Sequence, residues 1–259
     1  MTLLSFAGSP HGGSHKLLPE WRSQPRISPV LILDHSIVGS AIGAWWYFHD
    51  STGIEAHFII RGRRSGSRDG HIWQLMDTDR QADANFRAND KAISIETEDD
   101  GDPNVQPWTA AQLDSLKWLH SKLVSIYPRI RRREATDCDG PGLGYHSKLG
   151  APSCWTPVVG KTCPGKPVRV QQWRRVLLPA FLSPLSPEPK ETDMFVLRCD
   201  QTANSEGRAL RLVNAQRHRQ ISNAERAELL HEGVVEYNLT GHPGLYDKVL
   251  ELAEEVPSP

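Results

Sequence analysis

The sequence predicts an α/β fold, because short strand signals and helical patterns alternate along most of the chain. Two runs are short and β-rich, and two more alternate apolar with polar residues as strands do. These four runs are residues 30–33, 56–60, 72–76 and 92–96. Helical patterns occupy residues 40–49, between the first two runs, and residues 109–127, after the last one. We expect these elements to form one domain.

The pattern at residues 109–127 predicts the clearest helix of the chain. Thr109 and Gln112 have the spacing of a capping box, in which each side chain bonds the backbone of the other residue. Apolar residues then repeat at helical spacing, at Leu113, Leu116, Leu119, Leu123 and Ile126. Pro128 cannot continue a helix, so we expect the helix to end there.

Composition shifts divide the chain into four parts. Residues 1–24 have little pattern and are expected to form a partly ordered N-terminal arm, ahead of a main domain at 25–180. A proline-rich linker is predicted at 181–192. Residues 193–259 then read as a small α+β module, with strands and helices predicted at 194–198, 209–213, 222–233, 234–237 and 245–252.

Composition also excludes several classes of protein. The formal net charge of −1 argues against a nucleic-acid partner, which usually requires a basic excess. The sequence lacks the ~18 consecutive apolar residues of a membrane span, and its N-terminus lacks the pattern of a signal peptide. The four cysteines include no Cys-x-x-Cys pair, and in a reducing compartment we expect no disulfide scaffold.

Several residues could form a metal site. The segment 160–165 places Cys163 two residues after Lys161, in a turn rich in glycine and proline, and His146 lies upstream. Thiolate and imidazole are ligands that zinc prefers, and a catalytic zinc needs three of them. His35 follows the strand at 30–33, and Glu96 ends the strand at 92–96. Taken singly, a histidine is usually structural, and a strand-end carboxylate or a lysine is usually solvated.

A second metal site remains open from the residues alone. Cys138, His146, Cys154 and Cys163 are almost evenly spaced and could form a closed structural Cys3His zinc site. Such sites usually hold their ligands in short Cys-x(2–4)-Cys turns, which this segment lacks.

Five motifs together resemble the zinc-dependent N-acetylmuramoyl-L-alanine amidases, which share a fold with the peptidoglycan recognition proteins. In order, they are Leu33-Asp34-His35, Ala56-His57-Phe58-Ile59-Ile60, Ile93-Ser94-Ile95-Glu96, Gly144-Tyr145-His146 and Lys161-Thr162-Cys163-Pro164-Gly165. The resemblance covers roughly residues 28–176 and is strongest to endolysins of phages that infect actinobacteria. It implies a mixed central β-sheet flanked by helices.

The resemblance also implies a role for each site residue. His35, His146 and Cys163 would bind one catalytic Zn²⁺ and leave its fourth position to water. That water would cleave the amide between muramic acid and L-alanine of peptidoglycan, with Glu96 as the base and Lys161 stabilising the oxyanion. His57 would line the cleft floor. The chain departs from many members at Ala56, where they carry a catalytic tyrosine.

The partner implied by the resemblance is bacterial peptidoglycan. A lysis enzyme without a signal peptide would accumulate in the host cytoplasm and reach the wall after holin-type release. The alternative is a non-catalytic peptidoglycan-binding protein of the same fold. In the C-terminal module a cluster of basic residues favours contact with anionic wall polymers. The cluster comprises Arg208, Arg211, Arg217, His218 and Arg219.

Overall fold

A computed structural model of the chain describes residues 2–50 and 53–183, together with the backbone of four later strands. The chain divides into two units, residues 1–184 and 185–259. Among the described residues, no helix has the length and apolar character needed to cross a membrane.

A mixed sheet of six strands forms the centre of the first unit. The strands are β1 (Gly13–His15), β2 (Leu31–Asp34), β3 (Phe58–Ile60), β4 (Ile72–Gln74), β5 (Ala92–Thr97) and β6 (Gly142–Tyr145). Their spatial order is β1-β4-β3-β5-β2-β6. Only β3 and β4 pair antiparallel, as a hairpin, and every other neighbouring pair is parallel. The predicted fold class is confirmed.

Helices cover both faces of this sheet, which is why its inner strands are buried on both sides. Helix α1 (Ala41–Asp50) buries Phe48 in a cluster with Ile59 of β3. Helix α2 (Ala110–Ile126) packs on the other face, where Leu116, Leu119 and Leu123 join Ile32, Ile60 and Ile95 in the largest cluster. The central sheet is therefore held rigidly between two apolar layers.

The capping box predicted for α2 is present. The Gln112 backbone N–H donates to Thr109 Oγ1 at 3.0 Å, and Gln112 Oε1 accepts from the Thr109 N–H at 3.1 Å. The last helical segment of this unit starts at residue 168. It comprises α3 (Val168–Gln172), a π-helical turn (Trp173–Leu177) and α4 (Leu178–Leu182).

The N-terminal segment is not the partly ordered arm expected from its sequence. Residues 13–15 form β1, which pairs in parallel with β4 at the edge of the sheet. Leu4 and Leu18, on either side of β1, are almost completely buried. A strand of three residues is too short for alternation to be visible, so tertiary pairing decides its structure.

Strand β6 lies inside residues 134–167, a stretch rich in glycine and proline that carries no clear strand pattern. Its glycines remove the apolar run that would indicate a strand, yet Leu143 and Tyr145 are buried and all four residues pair with β2. Gly144 is needed for this packing, because a Cβ there would lie 2.9 Å from both Leu33 Cδ2 and Trp155 Cη2.

The second unit contains a four-stranded sheet in the part that is described. Its strands are β7 (Phe195–Arg198), β8 (Leu210–Val213), β9 (His218–Ile221) and β10 (Val235–Asn238), in the order β10-β7-β8-β9. Three of them match predicted strands, and β9 was not predicted. The helices predicted at 222–233 and 245–252, and most of the linker predicted at 181–192, lie outside the described residues.

Candidate metal centre

Three neighbouring strands bring predicted site residues to one edge of the sheet. Strands β5, β2 and β6 are parallel, so their carboxyl ends lie together. His35 follows β2 directly, and its N–H donates to the Ile95 carbonyl at 2.8 Å. His146 follows β6, and its N–H donates to the Asp34 carbonyl at 3.2 Å. Glu96 lies one residue after Ile95, so all three side chains share this edge.

Cys163 reaches the same place from the loop after β6. The potential ligand atoms of His35, His146 and Cys163 all lie within 4.8 Å of one another, and the three residues are buried. The Ser36 N–H donates to Cys163 Sγ at 3.3 Å, and Ser147 Oγ donates to the Cys163 carbonyl at 2.7 Å. The chain segments after both histidines therefore hold the cysteine in position.

Each histidine has one ring nitrogen available for a metal. His35 Nε2 lies 2.8 Å from Asn85 Oδ1, an acceptor, so Nε2 carries the hydrogen and Nδ1 keeps its lone pair. In the described part of the chain, Nδ1 of His146 is buried without a hydrogen-bond partner. A buried nitrogen without a partner is rare, and a metal ion would satisfy it. Two imidazoles and one thiolate fit a catalytic zinc, which has three protein ligands.

Burial determines the protonation of these candidate ligands. It lowers the pKa of His35 well below its usual value, with a further lowering by His146, and lowers that of His146 to about 3, helped by Lys161. Both imidazoles are therefore neutral, as ligands must be. Burial, and next Glu96, raises the pKa of Cys163 to about 12. The thiol thus keeps its proton until a metal displaces it.

Glu96 has the properties of an acid–base group beside this cluster. Its Oε1 lies 3.7 Å from His35 Nδ1, and its buried Oε2 has no hydrogen-bond partner among the described residues. Burial raises the pKa of Glu96 to about 8, although the Lys161 charge opposes the shift. A carboxyl group with such a pKa exchanges a proton near neutral pH.

Three adjoining cavities form a cleft at this edge of the sheet. The Cys163 cavity, of about 660 Å³, is also lined by Lys161 and Val38. The His146 cavity, of about 410 Å³, is lined by Glu96, Lys161 and Phe86 among others. The third, the Tyr47 cavity, of about 380 Å³, shares Val38 with the first and Glu96 with the second. Lys161 is half-buried between the first two cavities, so its ammonium can reach a ligand bound beside the cluster.

His57 is not on the cleft floor, where the resemblance implied it would be. It is completely buried, and none of the three cavities is lined by it. Both ring nitrogens have partners, because Nε2 lies 2.8 Å from the Arg80 carbonyl and Nδ1 accepts from the Ser94 N–H at 3.1 Å. His57 therefore links strands inside the fold and cannot contact a substrate.

A disulfide joins Cys138 and Cys154, contrary to the expectation that the cysteines form no such bond. It connects the segment before β6 to the loop after it. Because both sulfurs are bonded to each other, they cannot be thiolate ligands, and the structural Cys3His site is excluded. The sequence did not reveal the pairing, since the contact depends on β6, which was not predicted.

Asn85 and the ion pair of Asp99 with Arg169 were also missed. Asn85 orients His35, as described above. Asp99 is buried and bonded to Arg169, and its Oδ2 accepts the Val38 N–H at 2.8 Å. The sequence carries no pattern for these contacts, because each joins residues far apart in the chain.

Comparison with known proteins identifies the family. Residues 26–166, just over half of the chain, match the model of the N-acetylmuramoyl-L-alanine amidase family Amidase_2. The chain therefore belongs to this family. No curated protein sequence matches it.

Several solved structures are similar to about two thirds of the chain. The amidase LysC from Clostridium intestinale URNW has 20% identity and a TM-score of 0.44, covering 63% of this chain and 97% of its own. An AmpD derivative has 22% identity and a TM-score of 0.45, with coverage of 68% and 99%. The Ph2119 endolysin, from a Thermus scotoductus MAT2119 bacteriophage, has 18% identity and a TM-score of 0.42, with coverage of 65% and 100%.

Proposed function

We propose that the chain, as a member of the N-acetylmuramoyl-L-alanine amidase family, is a zinc-dependent hydrolase of peptidoglycan. It would cleave the amide between N-acetylmuramic acid and L-alanine of the stem peptide. The observation that carries this proposal is the buried cluster of His35, His146 and Cys163 beside Glu96 in an open cleft. Family membership supplies the bond that is cleaved.

His35 Nδ1, His146 Nδ1 and Cys163 Sγ would hold the metal. Zinc bound there would lower the pKa of water and polarise the carbonyl of the scissile amide. The hydrogen bond from His35 to Asn85, and the Ser36 N–H that contacts Cys163, orient two of the ligands.

Glu96 would move the proton. Its Oε2 faces no competing partner in the described structure and would take a proton from the attacking water. The same carboxylic acid would then return that proton to the nitrogen of L-alanine, which leaves as an amine. A pKa near neutral suits both steps, because the group must exist in both forms during one turnover.

Lys161 would stabilise the negative charge that develops on the carbonyl oxygen. Lys161 lines the same cavity as Glu96 and His146. A positive charge already placed beside the carbonyl needs no reorganisation when the oxyanion forms.

The biological setting is part of the proposal. The resemblance at residues 142–146 and 161–165 supports an endolysin of a phage that infects actinobacteria, acting on the wall after holin-type release. The module at 193–259 would bind the wall. Comparing wall retention of the full chain with that of a chain lacking residues 193–259 tests this role, and equal retention would contradict it.

Mass spectrometry of wall digests tests the activity. Purified walls treated with the zinc-loaded protein should release stem peptides with a free N-terminal L-alanine, and no new reducing sugar ends. The alternative, a non-catalytic peptidoglycan-binding protein, would be retained on walls without releasing these products.

A further inference from the structure

Two side chains at the cleft occupy backbone conformations that disfavour them. Among the described residues, Val38 and Phe86 are the non-glycine residues with positive φ, at 44° and 53°. A β-branched or bulky residue with positive φ is a true outlier, because its Cβ crowds the backbone. Such conformations persist where the surrounding structure enforces them, often at functional sites.

Phe86 has a backbone conformation that a glycine adopts elsewhere in the chain. Its φ and ψ are 53° and −115°, and Gly66 has 60° and −123° in the β3–β4 connection. Glycine adopts this conformation without a steric penalty. A glycine at position 86 would therefore form the same turn with less strain.

Packing in the core does not explain either side chain. Val38 is 75% exposed and Phe86 is 44% exposed. Neither residue belongs to the hydrophobic clusters found among the described residues. Burial of these side chains therefore does not offset the strain of their backbones.

The surrounding structure enforces both conformations through buried polar contacts. The Val38 N–H donates to Asp99, which is fixed by Arg169. Next to Phe86, Asn85 bonds His35, and the Arg87 N–H donates to the Cys154 carbonyl at 3.1 Å. Val38 is thus attached to a buried ion pair, and Phe86 follows the residue that orients His35.

The two residues flank the acid–base group. Val38 lines the Cys163 cavity and the Tyr47 cavity, and Phe86 lines the His146 cavity. Glu96 lines the Tyr47 and His146 cavities, so Val38 and Phe86 each line a cavity that Glu96 also lines. A substrate whose amide lies at Glu96 would meet both side chains.

We propose that Val38 and Phe86 are specificity-determining residues that contact the substrate on the two sides of its scissile amide. This inference rests on the proposed function and adds to it the two side chains that would bind the groups flanking the amide. The strain would be retained because it directs an apolar side chain into the cleft at each position. Apolar contact with the substrate then provides the interaction that core packing does not.

Three glycine variants, Val38→Gly, Phe86→Gly and the control Val105→Gly, test this inference. The substrate is a soluble disaccharide-peptide fragment of peptidoglycan. Val38→Gly and Phe86→Gly should each raise KM about 10-fold or more, as expected for loss of an apolar contact, and leave kcat and zinc content near wild type. Relief of strain should raise the Tm of Val38→Gly by ~2–4 °C. The Tm of Phe86→Gly should not fall.

Val105→Gly is the matched control. Val105 is 67% exposed, does not have a positive φ and lines none of the three cavities. Val105→Gly should have a lower Tm than wild type, because glycine adds conformational freedom to the unfolded chain. Its KM should be unchanged. Val38→Ala keeps the Cβ and should raise KM without raising the Tm.

The outcomes separate this inference from the proposed function. If the wild type cleaves the fragment and both glycine variants keep its KM, the inference is overturned. If the wild type cleaves nothing, the proposed function fails, and calorimetric affinities for the fragment then test the contacts. Weaker binding by both variants would support the inference, and affinities equal to wild type would overturn it.

Discussion

His35 Nε2 lies 2.8 Å from Asn85 Oδ1, and this contact decides which nitrogen of His35 faces the candidate metal site. Since an amide oxygen only accepts, Nε2 must donate and Nδ1 is left with its lone pair. His35 Nδ1 is the atom that lies 3.7 Å from Glu96 Oε1. One residue from the connection between β4 and β5 thus sets the tautomer of a residue at the end of β2.

Asn85→Ala should weaken zinc binding about 10- to 100-fold, because His35 loses the partner that orients it. Competition against a chelator of known affinity measures this change. Asn85→Asp, which keeps an acceptor at the same place, should bind zinc much more tightly than Asn85→Ala. Wild-type affinity in Asn85→Ala would contradict the role of Asn85.

Cys163→Ser should abolish stoichiometric zinc binding, because a neutral hydroxyl replaces the thiolate ligand. Metal content of the purified protein measures this directly. If Cys163→Ser keeps a full equivalent of zinc, Cys163 is not a ligand.

Cys154→Ser is the matched control for that variant. It should keep its zinc, because Cys154 is bonded to Cys138 and lies outside the cluster. Loss of this cross-link should lower the free energy of unfolding by about 3 kcal/mol, as expected for a loop of this length. If Cys154→Ser folds fully but loses its zinc, the result would support the structural Cys3His site instead.

Much of the site follows from where apolar runs end. The run at 30–33 predicts that His35 stands at a strand end, and the pattern at 92–96 does the same for Glu96. Parallel neighbours then bring both ends to one edge. Helix α2 was equally predictable, because its cap and apolar spacing are local features.

Other parts depend on contacts that no local pattern records. Strand β6 is half glycine, so it lacks the apolar run of a strand. The disulfide and Asn85 act across long sequence separations. The resemblance implied that His57 lines the cleft floor, but its side chain is buried and bonds the Arg80 carbonyl and Ser94.

Glu55 should make the protein less stable as pH rises. It is buried, and burial, followed by the charges of Asp83 and Glu20, raises its pKa from 4.5 to about 7. The folded state therefore binds more protons than the unfolded state between these values, and stability falls as pH rises from about 4.5 to 7. Above pH 7 the buried Glu55 carboxylate lowers the free energy of unfolding by its full amount.

Glu55→Gln removes this loss of stability, because glutamine does not ionise. Denaturant unfolding at pH 8 should show the variant to be more stable than wild type, by on the order of 2 kcal/mol. At pH 4 the two proteins should differ little, because Glu55 is protonated in both states. An equal difference at the two pH values would refute the assignment.

The central claim is that His35 binds the metal and Glu96 moves the proton. The most direct test measures zinc content and release of stem peptides together, for wild type, His35→Ala and Glu96→Gln. We predict that His35→Ala loses both the zinc and the activity. Glu96→Gln should keep a full equivalent of zinc while its kcat falls about 10²- to 10⁴-fold. Wild-type kcat in Glu96→Gln, or full zinc content in His35→Ala, would contradict the account.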